Sequence, residues 1–324
     1  MPKTAREWLE KATFTTADLA SGGRLSPQQV REFLRVAMES GVITKEMRYE
    51  DSDAPLFEVP RISLNTRVLR RGTEGQRLAD ADRVKPQTGL VTLQTVLLKG
   101  EVPLTDEVLE DNVEKERLAD TIMAMLAEAV GRDVEELFIK GDTARTASED
   151  QYLDSLDGII KQLQVGLPAA QKIDASGITR YDDLFHAMLS ALPPRYRTNV
   201  SQLRFYVPVR HHDGYVRELR ARGTRLGDDA IIQNMTADLG FAGIPVRAVP
   251  LMSGTDTINS ASVDYGKFVL LVDPQNLIAG FQRRIRVERY RDPREGVTSF
   301  VVTLRCDVKI ADPEFGVLAY NVNL

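Results

Sequence analysis

The chain has 324 residues, 43% of them hydrophobic, 27% charged and 6% aromatic, with a formal net charge of -5. That is enough apolar material for a sizeable core, in one large domain or two to three subdomains, and the acidic balance argues against a protein that coats nucleic acid through bulk positive charge. The single cysteine, Cys306, excludes an intrachain disulfide.

The opening MPKTAREWLEKATF lacks the apolar core of a signal peptide, and no apolar run approaches the roughly 20 residues of a bilayer span. A soluble protein made in the cytoplasm, with no membrane partner, is expected. Residues 1–25 are mixed polar, broken at Gly22-Gly23, and read as an arm. Ser26 then caps a helix, Pro27 suits its first position and Gln29 completes a capping box. Val30, Phe33, Leu34, Ala37 and Met38 form one apolar stripe, and Gly41 is a natural C-terminal stop. With few neighbours in sequence, Phe33 and Leu34 are expected to bury on another subunit.

Arg61–Arg71 and Thr88–Lys99 are extended by pattern and flank a stretch poor in apolar residues, a long two-stranded hairpin with a polar middle. Such a ribbon is marginal in water by itself and needs a partner surface. A short helix starts at Thr105–Asp111. Asn112 then caps a long helix over about 113–140, whose apolar face runs through Leu118, Ile122, Met125, Leu126, Ala129, Val130, Val134, Leu137 and Phe138. Gly141-Asp142 ends it. Residues 143–180 are loop-rich apart from a short helix near Leu156–Leu163. Helix and strand alternate over 181–261, and 265–324 is mostly strand.

Signs of chemistry are sparse. His211-His212-Asp213 is the one cluster suggesting a metal, but adjacent histidines point apart on a strand and no further ligand stands at a standard spacing, so a surface loop after a strand is the expectation. Gly72-Thr-Glu-Gly75 and Gly22-Gly23 lack the spacing and the lysine of a phosphate loop. There is no Gly-x-Ser-x-Gly elbow, and Cys306 lies in an alternating strand where a buried structural thiol is expected. No catalytic residue, cofactor or metal is assigned.

Charge is more informative. Residues 61–86 carry seven basic and three acidic side chains, a balance of +4, and residues 101–120 carry eight acids and two bases, a balance of -6. Two solvated faces and an intersubunit contact account for this equally well. In the second reading Arg67, Arg70 and Arg71 dock on Glu107, Glu110, Asp111 and Glu114 of a neighbour. A second basic run, Arg283, Arg284, Arg286 and Arg289, faces either packaged DNA or a neighbour's carboxylates, with DNA at the lower weight because Tyr290 is its one aromatic.

The order of elements, an arm, a long hairpin, a long helix, a central α/β region and a closing strand set, resembles the Hong Kong 97-type phage capsid protein. Leu104-Thr-Asp-Glu-Val-Leu-Glu-Asp-Asn112 resembles the acidic helix before that family's spine helix, and Asp133-Val-Glu-Glu-Leu-Phe-Ile-Lys-Gly-Asp142 resembles the spine's end. Leu192-Pro-Pro-Arg-Tyr-Arg197 with Phe205-Tyr-Val-Pro208 resembles the opening of its axial domain. Gly240-Phe-Ala-Gly-Ile-Pro-Val246, Asp264-Tyr-Gly-Lys-Phe268, and Asp307 with Asp312-Pro-Glu-Phe315 resemble later strands. The resemblance spans roughly residues 26–320. It implies an α+β Hong Kong 97-like capsid fold: an N-terminal arm (1–60), an extended hairpin loop (61–104), a peripheral domain with the spine helix (105–165 and 262–324) and an α/β axial domain (166–261). It implies a major capsid protein that self-assembles, through hexamers and pentamers, into an icosahedral virion head around double-stranded DNA. Its partners would be copies of itself, a separate scaffolding protein, a portal, possible decoration proteins and, non-specifically, DNA. An encapsulin-like nanocompartment of the same fold is the alternative, and an enzyme with an unrecognised site a more distant one.

Overall fold

The computed structural model describes residues 41–63, 69, 87–105, 118–145, 151–221, 239–259, 261–282, 286–292, 294 and 296–324. The spine of the first sheet is β14 (Val297–Ile310), in which Phe300, Val302, Leu304, Cys306, Val308 and Ile310 alternate inward. Along one edge it pairs antiparallel with β12 (Leu277–Gln282) and then β13 (Arg286–Asp292); along the other it pairs with β4 (Val96–Thr105). Outside β12, β1 (Arg48–Ser52) adds in parallel. The long helix α1 (Leu118–Lys140) and the short helix α2 (Ile159–Gly166) pack on the inner face through Leu126, Val134, Leu137, Phe138, Ile159, Ile160 and Leu163.

Two glycines let α1 and α2 meet. A Cβ on Gly141 would press on the carbonyl oxygens of Leu156 and Leu137, and one on Gly158 would stand 2.8 Å from the nitrogen of Gly141. The backbones bond directly across this contact, Gly158 N–H donating to Gly141 O at 2.8 Å. The expected continuous face of α1 is interrupted, because Met125 is 64% exposed, whereas Ala127, Glu135 and Ile139 are buried. Toward its C-terminus the helix is enclosed on more than one side, so a single-stripe pattern no longer describes it.

The second sheet has the order β5 (Lys172–Asp174), β15 (Gly316–Tyr320), β11 (Val269–Val272), β6 (Arg204–Pro208), β8 (Ile244–Val249), β7 (Gly240–Phe241). Its parallel β6–β8 pair is bridged by helix α4 (Val209–Ala221), and α3 (Tyr181–Ala191) packs beside it. The sheet divides two cores. Tyr206, Leu270 and Leu318 face the first core; Phe205, Val207, Leu271 and Val317 face α3 and α4. Strands buried on both faces explain unbroken runs such as VLLV in β11.

Three features differ from the sequence reading. Residues 41–52 belong to the body rather than to an arm, since Ile43 and Met47 are buried in the first core and β1 joins the first sheet. Residues 269–272 and 316–320, grouped by sequence with the long helix, lie inside the second sheet. The extended run Thr88–Lys99 is two strands broken at Thr95, whose N–H donates to Pro55 O at 2.9 Å.

Candidate assembly site

Strands β2 (Leu56–Ser63) and β3 (Gln87–Gln94) form a separate two-stranded ribbon, in register from Leu56↔Gln94 to Ser63↔Gln87. Its two faces differ. Phe57, Val59, Val91 and Leu93 turn toward the body and cluster with Ile278 of β12 and Ala311. Leu56 and Leu90 turn away and are 55% and 62% exposed. The expected hairpin therefore has a support its sequence does not advertise, with its root resting on the outer face of the first sheet.

The seat is made by one cross-strand pair, Gly280 of β12 opposite Asp307 of β14. Gly280 leaves room for the ribbon: a Cβ there would stand 2.6 Å from Leu93 Cδ2 and 2.8 Å from Phe57 Cζ. Asp307, 2% exposed, accepts hydrogen bonds from the N–H groups of Gln94 and Val308, each at 2.8 Å. Burial pushes its carboxyl pKa up, against Lys309 (3.9 Å away) and the two N–H donors, which lower it. Farther out, Arg61 donates to Ala311 O at 3.0 Å and pairs with Asp312, which also accepts from Tyr196 Oη at 2.6 Å. The ribbon is clipped to the body at both Gln94 and Arg61, with an outer face that exposes Leu56, Pro60 and Leu90 beside Glu58, Thr92 and Gln94.

The sequence-predicted contact residues fall mostly elsewhere. Phe33, Leu34, Arg67, Arg70, Arg71, Glu107, Glu110, Asp111, Glu114, Arg283 and Arg284 lie outside the described residues. Arg286 and Arg289 stand on β13, which follows β12 along one edge of β14. The histidine pair is not in a loop. Both residues sit in the first turn of α4, and His211 is buried, with Nδ1 3.2 Å from Tyr181 Oη and Nε2 2.8 Å from Gly266 O. Burial, with Arg210 adding to it, holds its pKa below the ordinary value. It is a neutral packing histidine. Cys306 is buried and its thiol pKa is raised by burial, as suits a structural residue. Among the described residues no group of three or more His, Cys, Asp or Glu side chains is placed to hold a metal ion, and no helix is long and apolar enough to cross a membrane.

Sequence reasoning missed Gly280 and gave no structural role to Asp307 or Glu135, which it met only inside strings that resemble the family. The signals were slight. Asp307 stands between Cys306 and Val308, a charged residue in an apolar strand, whereas Glu135, between Val134 and Glu136, carries no such signal.

The model of the "Phage capsid family" matches residues 22–316. The prophage capsid protein YqbE of Bacillus subtilis (strain 168) is 32% identical over 303 residues, covering 93% of this chain and 94% of that protein. The chain belongs to the phage capsid family. Among solved structures, this capsid protein matches a chain of the satellite phage P4 procapsid with size determination (Sid) protein at a TM-score of 0.68 and 12% identity, over 98% of this chain and 96% of that one. It matches the SrpI encapsulin of Synechococcus elongatus PCC 7942 at a TM-score of 0.54 and 12% identity, over 100% and 96%. At such identities these matches speak to fold alone, which phage shells and encapsulins share; family membership decides between them. This capsid protein is structural and not an enzyme. It is a major capsid protein, assembles with copies of itself into the head shell and resides in the virion capsid.

Proposed function

We propose that the shell is an icosahedral head built from hexamers and pentamers around double-stranded DNA, and that the ribbon's outer face and the N-terminal arm are its intersubunit contacts. The observation that carries this is the two-faced ribbon, anchored on one side through Val59 and Leu93 while Leu56 and Leu90 on the other are left open to water. Large apolar side chains left exposed on a ribbon of marginal independent stability favour a surface that a neighbour covers. Symmetric copies cover it in closed assemblies.

In this reading the arm is residues 1–40, the ribbon and its tip span 56–94, and the second sheet with α3 and α4 forms the axial domain. Phe33 and Leu34 bury on a neighbour. Arg67, Arg70 and Arg71 meet Glu107, Glu110, Asp111 and Glu114 of the next subunit, supported by the opposite charge balances of the two segments. Arg283, Arg284, Arg286 and Arg289 contact DNA phosphates or a neighbour. A separate scaffolding protein, a portal and decoration proteins complete the partners.

Each exposed ion pair is worth only about 0.2–1 kcal/mol, but every subunit repeats it. A triple Arg67, Arg70, Arg71→Glu variant is expected to lose shells in negative-stain microscopy while its thermal unfolding hardly changes. Added salt should weaken wild-type assembly in the same direction, and reversing the four acids should restore part of it. Normal shells from the triple variant at low and high salt would refute the charged contact.

A further inference from the structure

The point where the N-terminal segment enters the body is organised around one buried carboxylate. Glu135 lies on the enclosed part of α1 and is 4% exposed. Its Oε1 accepts from the N–H groups of Val42 at 2.7 Å and Ile43 at 2.6 Å, and the N–H of Thr44 also donates to this carboxylate. Gly41 is closely packed at this turn, since a Cβ there would run into Thr44 Oγ1 and come within 2.7 Å of Glu135 Oε2 and 2.8 Å of its Cδ. Burial raises the pKa of the Glu135 carboxyl, and the three N–H groups pull it back down.

The other end of the same short segment is fastened to a different part of the molecule. Glu46 accepts from Tyr206 Oη of β6 at 2.8 Å and pairs with Arg204 of β6 at 3.4 Å and Arg247 of β8 at 3.5 Å. Gln275 Nε2 donates to its carbonyl at 3.0 Å. Between the two anchors Ile43 and Thr44 are buried, and a turn closed by Glu46 N–H on Ile43 O at 3.1 Å leaves little slack. One face of the segment thus holds α1 and the other holds the second sheet, just before the chain enters the first sheet as β1.

We propose that residues 41–46 are a strap, with Glu135 as its positioning residue, that fixes the direction in which residues 1–40 leave the body and couples displacement of that segment to α1 and the second sheet together. The exit-direction part rests on the reading of residues 1–40 as an intersubunit arm. The physical basis is the lack of an intermediate position. Lifting residues 42–44 strips the N–H donors from a carboxylate that is 4% exposed, and a buried polar group without partners costs far more than a shared hydrogen bond gains. The strap is therefore wrapped or released as a unit, and release pulls on Glu46 and so on β6 and β8.

The test is hydrogen exchange by mass spectrometry on the full chain, with negative-stain microscopy beside it, for wild type, Glu135→Leu, Glu135→Gln and Gly41→Ala. Leucine fills the space but offers no acceptor; glutamine keeps one carbonyl. Glu135→Leu is expected to speed exchange at residues 42–44 and in β6 at least tenfold, to leave α3 unchanged, and to yield misformed shells. Glu135→Gln should recover most of the protection. Gly41→Ala alters nothing on α1, keeps the experiment decisive if the leucine variant fails to fold, and should speed the same amides. Fast exchange at 42–44 with β6 as protected as in wild type would overturn the coupling, whatever the shells look like. Coupled exchange with shells of normal size and yield would instead overturn the exit-direction part and the arm reading beneath it.

Discussion

Replacing Gly280 with alanine tests whether the ribbon rests on the first sheet as a separable part. The added methyl would stand 2.6 Å from Leu93 Cδ2 and 2.8 Å from Phe57 Cζ, where carbon atoms prefer about 3.5–4.0 Å. Something must give by roughly 1 Å, at an overpacking cost of about 1–3 kcal/mol. The opposing hold is the burial of Leu93 and Val59, about 1.5–3 kcal/mol each, and the hydrogen bond from Gln94 to the Asp307 carboxylate, about 1.5–3 kcal/mol. Strain comparable to one of these terms should loosen the ribbon without breaking the sheet beneath it, whose own hydrogen bonds do not involve the added methyl. The expected result is about 10- to 100-fold faster exchange of the Gln94 amide and easier proteolysis of the ribbon, with a thermal midpoint within a few degrees of wild type. An unchanged Gln94 amide, or a large fall in midpoint with the ribbon still protected, would show that the seat is not a separable contact.

Other outcomes follow from neighbouring geometry. Gly141→Ala sets a methyl against the carbonyls of Leu156 and Leu137, which are backbone and cannot rotate aside. It should cost about 3 kcal/mol, the upper end of overpacking, read as a lower urea midpoint for the whole chain. His211 is neutral when folded and its pKa lies below the ordinary value, so the unfolded chain binds more protons in mild acid. Its contribution is present above about pH 6.5 and is lost as pH falls toward the folded pKa. Wild type should therefore lose more thermal stability between about pH 7 and 5 than His211→Gln does, and parallel profiles would remove His211 from the account. Asp307 has the opposite sign. Its pKa is raised, so the stability of wild type relative to Asp307→Asn should decline as pH rises through the folded value, measured by denaturant midpoints across the acid range.

Periodicity served well where one face of an element is buried and poorly where an element is enclosed. Helix α3 (Tyr181–Ala191) falls in the stretch read as alternating helix and strand, and β14 (Val297–Ile310) in the stretch read as mostly strand. Each has one clear apolar face and a plain stop. Strand membership was less legible, because hydrogen-bonding partners far apart in sequence leave no local trace. Nothing in GVLAY announces that Gly316–Tyr320 lies between β5 and β11. The histidine pair reads from sequence as a loop after the strand, whereas α4 starts directly at Val209 and takes both residues into its first turn. Gly41 reads from sequence as a helix stop, while its observed constraints are Thr44 Oγ1 and the Glu135 carboxylate ninety-four residues away. Contacts of that kind depend on tertiary approach, which composition and spacing do not encode.

The interleaving of the second sheet also sets an order of events during synthesis. Strand β5 is made early, but its neighbour β15 ends at residue 320, and β11 pairs with that same late strand. At about 5–20 residues per second, several seconds or more separate the two. During that interval β5 has no strand partner, and once β11 has been made one of its edges stays open until β15 follows. A chain interrupted before residue 316 thus carries a sheet with its inner strand missing. Completion of the wall between the two cores acts as a check on length, because only a chain translated through β15 presents the closed body on which the ribbon and strap are mounted.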